Sequence, residues 1–261
     1  MDEVFNKLRS FPGEKIELTY KDTFSFKCHK GIECFNQCCR GGLEIFLTPY
    51  DVLRIKNTIG ITSTEFLATY SLTVMLEKSN VPFLKLRMDE SKNCYFNRED
   101  GCAIYKDRPL ACRYYPIGYA VMKSNRPFEG DDFYFKIQED FCKGHKETAL
   151  WDIESWRIDQ EINTYEDANK DWVDLILNKK LYGSSIKLDD KSTSMFMLGS
   201  FDVDAFREFL LKSTFLKRFD VEEDELELIK TDELQLLKFA HKWLKFALFN
   251  EPTMFLKEPQ V

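Results

Sequence analysis

The sequence predicts an α+β protein with short strands and an αα-hairpin in its cysteine-rich N-terminal half and a mostly helical C-terminal half. Two observations lead to this prediction. All eight cysteines of the 261-residue chain lie between positions 28 and 142. Apolar residues alternate with polar ones in short runs up to residue 138, whereas they recur at helical spacing from residue 153 onward. We therefore expect two regions, a cysteine-cluster domain over residues 1–147 and a helical region over residues 148–261.

Local patterns predict the elements of the N-terminal half. Alternating runs predict strands at residues 16–20, 24–26 and 81–88 and a hairpin of residues 117–123 with residues 132–138. Thr48 and Asp51 have the spacing of a capping box, and Pro49 suits a first helical turn, so a helix should run to about residue 59. Gly60 can end this helix and Thr62 can begin another. An αα-hairpin is therefore expected between the two groups of cysteines.

The remaining elements are a tight turn and several helices. A turn over residues 97–101 is expected to set Cys94 and Cys102 opposite each other. Helical spacing of apolar residues predicts helices over residues 153–178, 203–219 and 232–249. In the last of these, His241 is expected on the exposed polar face.

Composition excludes some classes of protein. The net charge of −7 and the isoelectric point near 5.2 argue against general nucleic-acid binding, which needs clustered Lys and Arg. No stretch has the roughly 20 apolar residues of a transmembrane segment, and the first residues lack a secretory pattern, so we expect a cytoplasmic location. Reducing conditions there favour ligand or catalytic thiols over a disulfide framework.

The cysteine spacing predicts a metal site. Thiolates that converge from tight loops can hold zinc or an iron–sulfur cluster. All eight are candidate metal ligands: Cys28, Cys34, Cys38, Cys39, Cys94, Cys102, Cys112 and Cys142. Successive side chains diverge, so Cys38 and Cys39 are expected to serve different metals or roles, or one of them to be a buried apolar thiol. No two cysteines have the Cys-x2-Cys spacing of zinc ribbons, ferredoxins or thioredoxins.

Basic residues beside the thiols are candidates for supporting the cofactor. Arg40 and Arg113 can lower thiolate pKa values and offset the charge of a multi-thiolate site, or they can simply pair with acids on the surface. Cys112 is expected to be a ligand on a short turn that Asp107 caps. His29, next to Cys28, and His145, three residues after Cys142, are alternative nitrogen ligands. The tyrosines around these positions are expected to exclude water from the metal.

These motifs resemble the YkgJ-type cysteine-cluster family over about residues 24–145. The matching segments are CFNQCCR from Cys34, LTPYD from Leu47, GCAIY from Gly101, Arg108-Pro109 and CRYYP from Cys112. The opening cysteines are spaced Cys-x5-Cys-x3-Cys-Cys here, more widely than the Cys-x2-Cys-x2-Cys-Cys of the family. The resemblance implies a domain that chelates zinc or iron, and flagellin lysine N-methylases carry a related cluster.

Three hypotheses follow from these observations. The first is a metal-binding protein that holds zinc or an iron–sulfur cluster through its cysteines. The second, implied by the resemblance alone, is a protein lysine N-methylase, although the sequence contains no recognisable S-adenosylmethionine motif. The third is a metal-dependent binding module or metal chaperone that docks a protein partner through its helical half. Metal content, binding of S-adenosylmethionine and metal exchange distinguish the three.

Overall fold

The computed structural model describes residues 14–41, 43–75, 81–121, 132–177 and 188–257. Its strands are β1 Glu14–Leu18, β2 Thr23–Ser25, β3 Phe46–Leu47, β4 Ser71–Met75, β5 Pro82–Leu86, β6 Asn97–Arg98, β7 Gly101–Cys102, β8 Ile117–Val121, β9 Asp132–Gln138, β10 Leu150–Asp152, β11 Phe219–Asp220 and β12 Phe255–Leu256. Its helices are α1 Pro49–Ile59, α2 Ser63–Tyr70, α3 Leu110–Tyr114, α4 Ile153–Asp159, α5 Ile162–Ile176, α6 Asp190–Phe201, α7 Val203–Lys212, α8 Phe215–Arg218, α9 Glu223–Thr231 and α10 Glu233–Phe249. This order of elements confirms the α+β class.

The chain divides into two compact units. The cysteine unit consists of residues 1–43, 90–103 and 111–163, and the helical unit consists of residues 44–89, 104–110 and 164–261. The two units therefore interleave along the chain. The division into a cysteine-cluster domain of residues 1–147 and a helical region of residues 148–261 stays a prediction.

The cysteine unit is built on a three-stranded antiparallel sheet with β9 in the centre, between β1 and β8. The β8–β9 pairing confirms the predicted hairpin, and its predicted connecting loop lies outside the described residues. Gly118 of β8 is required by packing, because a Cβ atom there would lie 2.3 Å from the ring of Phe135. A second pair, β2 with β10, supports an aromatic cluster in which Phe24 and Phe26 each meet the Trp156 ring edge to face.

The predicted αα-hairpin lies in the helical unit as α1 and α2. The Asp51 N–H donates to Thr48 Oγ1 at 3.2 Å and the Thr48 N–H donates to Asp51 Oδ2 at 2.7 Å, so the predicted capping box is confirmed. Gly60 ends α1 with φ of 73°, the left-handed conformation that glycine adopts without strain. Thr62 begins α2 with a second capping box, through Glu65.

The helical unit buries α10 against α6, α7 and α9. Gly199 of α6 allows this packing, because a Cβ atom there would lie 2.8 Å from Leu244 Cγ. The predicted helix over residues 153–178 is divided into α4 and α5 at Glu161, whose φ is 55°, and residue 178 lies outside the described residues. Within the described ranges, no helix combines the length and the apolar character needed to cross a bilayer.

The expected exposure of His241 is wrong. Its side chain is fully buried in α10, and neither ring nitrogen has a hydrogen-bond partner in the described part of the chain. Burial lowers the pKa of His241 to about 3, while Asp171 raises it slightly and Lys245 lowers it further. The buried face of α10 therefore includes His241, although charged residues lie close to it in the sequence.

Candidate metal centre

Seven of the eight thiols lie on loops and short hairpins of the cysteine unit, and the eighth lies on α3. Cys28 follows β2, while Cys34, Cys38 and Cys39 lie in the loop that ends with the 3-10 turn Gln37–Cys39. The others are placed as follows: Cys94 before β6, Cys102 in β7, Cys112 in α3 and Cys142 before the 3-10 turn Gly144–Lys146. None of the eight forms a disulfide.

One backbone and one side-chain hydrogen bond join the upstream cysteine loop, residues 34–39, to the β6–β7 hairpin. The Cys94 N–H donates to the Cys39 carbonyl at 2.9 Å. The buried side chain of Asn36 donates from Nδ2 to the Arg98 carbonyl at 2.8 Å. The chain turns tightly between β6 and β7, but Cys102 lies opposite Asn97 and not opposite Cys94 as the sequence suggested. The thiols of these two segments are therefore held in one neighbourhood.

The turn that carries Cys142 is joined to the same loops. The Lys27 N–H donates to the Gly144 carbonyl at 3.1 Å, next to Cys28. The Lys143 N–H donates to the sulfur of Cys34 at 3.1 Å. Groups that donate hydrogen bonds to a ligand atom commonly orient metal ligands, so this contact suits a metal-binding cysteine.

Three other thiols lie close enough to Cys28 to affect its pKa. Partial removal of water raises this pKa to about 11, and the charges of Cys38, Cys34 and Cys142 add to the increase. Burial likewise raises the pKa of Cys142, with Cys34 contributing, although a hydrogen bond from Tyr115 acts in the opposite direction. We call Cys28, Cys34, Cys38 and Cys142 the first thiol group. Ionising them together without a cation is unfavourable, as expected for a metal site.

Cys39, Cys94 and Cys102 form a second thiol group beside Cys38. Burial raises the pKa of Cys94, and the charges of Cys102 and Cys38 contribute. The sulfurs of Cys38 and Cys39 lie 3.9 Å apart, so the expected divergence of these two side chains is wrong. The 3-10 turn brings them together. Two thiolates on one tetrahedral zinc, each about 2.3 Å from it, would be about 3.8 Å apart.

The two arginines that were predicted to support the cofactor, Arg40 and Arg113, differ in their exposure to solvent. Arg113 is buried, and its Nη1 donates to the Gln160 carbonyl at 2.8 Å and pairs with Glu161 at 3.0 Å. Arg40 is exposed at the end of the 3-10 turn Gln37–Cys39. Cys112 is half-buried within α3. The cofactor roles of both arginines and the ligand role of Cys112 stay predictions.

Asp51 caps α3, the helix that carries Cys112. The sequence had suggested Asp107 as the residue in this role. Asp51 Oδ1 accepts from the Leu110 N–H at 2.8 Å. Asp107 instead forms an ion pair with Arg54 and accepts from Thr58 Oγ1 at 2.7 Å. Capping from a distant helix leaves no local sequence signal, which explains the wrong assignment.

The two candidate histidine ligands, His29 and His145, each contact residues other than cysteine. His29 accepts the Gly31 N–H on Nδ1 at 3.2 Å, and its Nε2 lies 3.4 Å from Glu147. The His145 ring packs against Phe26 at an interplanar angle of 59°, with 5.3 Å between ring centroids. Burial, with a contribution from Lys136, lowers the pKa of His145 and so favours the neutral imidazole.

Glu139 is a site residue that the sequence analysis missed. It is only 6% exposed and accepts a hydrogen bond from Tyr115 Oη at 2.7 Å. Its charge contributes to the raised pKa values of Cys38 and Cys142. Its position three residues before a cysteine was the only sequence signal, because its burial depends on segments distant in the chain.

The chemistry of these donors fits a bound metal cation. Thiols from three loops and a buried carboxylate adjoin one another, and a cation would offset the charges that these groups gain on ionisation. Among the described residues, no three His, Cys, Asp or Glu side chains already converge closely enough to hold a metal ion.

Thiols that form no disulfide, on loops joined by hydrogen bonds, are the arrangement expected of a cysteine-rich metal-binding domain. Residues 27–143 match the model of the CxxCxxCC family, described as "Putative zinc- or iron-chelating domain". The predicted resemblance is thus confirmed over these residues, and the match supports metal binding through the cysteines. No curated protein and no solved structure gives a significant match to the chain.

Proposed function

We propose that the cysteine unit binds one zinc or iron ion through Cys28, Cys34, Cys38 and Cys142. The observation that carries this proposal is that Cys28 lies within electrostatic range of the other three thiols, which come from two separate segments of the chain. The description of the matching family supports the same chemistry. The ion would offset the mutual repulsion of the thiolates.

Metal binding by these thiols would stabilise the cysteine unit. The ligands lie on loops that a few hydrogen bonds join, so their convergence on an ion adds binding free energy to folding free energy. The second thiol group and Cys112 would then support this site or hold further metal. An iron–sulfur cluster is the alternative cofactor, since the two groups together contain more thiols than the four that a cluster uses.

Metal analysis of anaerobically purified protein tests the proposal. We expect about one zinc or iron per chain, without acid-labile sulfide, as for a mononuclear site. Cys34→Ser should lose this metal. Cys102→Ser removes the same atom from the second group and should retain it. Absence of stoichiometric metal from the wild type would contradict the proposal, and stoichiometric sulfide with a brown colour would replace the single ion by a cluster.

The exposure of Cys28 favours a related function in metal transfer or metal-dependent binding. A ligand in contact with water can be displaced by an incoming thiol, which is how a metal chaperone would release its ion. Stopped-flow transfer of the metal to a chromogenic chelator measures this exchange. We expect transfer within seconds, whereas retention for hours would indicate a structural metal. The methylase hypothesis additionally requires S-adenosylmethionine binding to the metal-loaded protein, which equilibrium dialysis measures.

A further inference from the structure

Glu139 is a buried carboxyl group without a cationic partner among the described residues. Its carboxylate is 6% exposed, and no Lys, Arg or His of the described part of the chain pairs with it. Its hydrogen bond from Tyr115 is a neutral one. A buried carboxylate normally has a cationic partner, because its removal from water is energetically unfavourable.

The surroundings of Glu139 place it beside the first thiol group. The Cys142 N–H donates to the Glu139 carbonyl at 3.0 Å, so the two residues belong to one turn. Glu139 also interacts electrostatically with Cys38, from the upstream loop. These neighbours would be anionic in a metal site. A cation between them would serve the carboxylate and the thiolates together.

We infer that Glu139 is an oxygen ligand of the metal that the first thiol group binds, and that Tyr115 positions its carboxylate. This inference rests on the proposed function. Carboxylate oxygen and thiolate sulfur are both ligands of zinc, and a tetrahedral zinc site can expand to five ligands, so Glu139 can join the four cysteines. A carboxylate suits a single ion better than an iron–sulfur cluster, whose usual ligands are cysteines.

Tyr115 is suited to orient the carboxylate. Its hydroxyl donates to Glu139 Oε2, and it also lies within hydrogen-bonding reach of the Cys142 thiol. One donor thus fixes one carboxylate oxygen and leaves the other for the metal. The Tyr115 ring packs edge to face on Phe26, with 5.6 Å between centroids, which restricts its own rotation.

A protonated Glu139 with a purely structural role is the competing interpretation. In that case its carboxyl would stay neutral, and glutamine would replace it with little effect on metal binding. The two interpretations therefore differ in the response of the metal to Glu139→Gln. Asp140→Asn is the matched control, because it removes an exposed carboxylate from the adjacent position.

The experiment loads the full-length protein and its variants with zinc, and separately with cobalt. Competition with a chelator gives the zinc affinity, and the visible spectrum of bound cobalt reports its ligands. We expect Glu139→Gln and Tyr115→Phe to weaken zinc binding, the latter about 10- to 100-fold, as for groups that orient a metal ligand. Both should shift the cobalt bands, and Asp140→Asn should change neither readout.

The outcomes separate this inference from the proposed function. Unchanged zinc affinity and cobalt bands in Glu139→Gln would overturn the ligand role of Glu139 while leaving the thiol site intact. Failure of the wild type to bind either metal would contradict the proposed function itself. If circular dichroism shows that Glu139→Gln does not fold, Glu139→Asp provides the test. It keeps the charge but shortens the side chain, so we expect weakened binding with shifted bands, and wild-type behaviour would overturn the inference.

Discussion

At the scale of single residues, Asn36 has a particular part in assembling the thiol loops. It is buried within the upstream loop and adopts φ of 65°, a left-handed conformation that asparagine tolerates better than most residues. Its side-chain bond to the Arg98 carbonyl joins this loop to the β6–β7 hairpin. One residue thereby satisfies both a local and a long-range requirement of the site.

Substitutions at Asn36 separate these two requirements. Asn36→Ala loses the hydrogen bond and also forces alanine into the left-handed region, so we expect it to lower the free energy of unfolding by about 2 kcal/mol. Asn36→Gly loses only the hydrogen bond and should cost about half as much, since glycine adopts this φ freely. Urea unfolding followed by tryptophan fluorescence measures both. Equal losses for the two variants would show that backbone conformation has no part.

At the scale of elements, local signals identified some helices and missed others. Both capping boxes were recognisable because Thr48 and Thr62 lie next to the residues that they cap. The helix α6 was missed, since its sequence DKSTSMFMLGSF spreads apolar and small residues around the helix. The division between α4 and α5 was missed because Glu161, with its positive φ, is not a residue that usually signals a break.

The burial of His241 gives α10 a predicted pH response. Its pKa is about 3 in the folded protein, against about 6.5 for an unfolded chain. Below pH 6.5 the unfolded state therefore binds a proton that the folded state does not, so stability should fall as the pH falls from 6.5 towards 3. The slope from this residue is at most about 1.4 kcal/mol per pH unit.

His241→Leu isolates this contribution from that of the carboxylates. The variant should be at least as stable as the wild type at pH 7, because no hydrogen bond of the described structure is lost. It should lose less stability on acidification to pH 4.5, as measured by urea unfolding at each pH. Parallel stability curves for the two proteins would mean that His241 does not remain neutral inside the folded helix.

At the scale of the whole molecule, the sequence predicted the class of fold, and the match to a chelating family supports its prediction of metal binding through cysteines. The cysteines were identifiable because their residue type and density carry the chemistry. Glu139 and Asp51 were not, because their roles arise from contacts between segments far apart in sequence. The interleaving of the two compact units has the same origin, since local patterns contain no information on which distant segments pack together.

Metal removal tests the central claim that thiol-bound metal stabilises the cysteine unit. Amide hydrogen exchange should be followed in the metal-loaded protein and after anaerobic chelation, using backbone groups that join the thiol loops. Suitable probes are the N–H groups of Cys94 and Lys143, with α10 as the internal reference. We predict that chelation abolishes protection at the two probes and leaves α10 protected. Equal protection with and without metal at Cys94 and Lys143 would contradict the account.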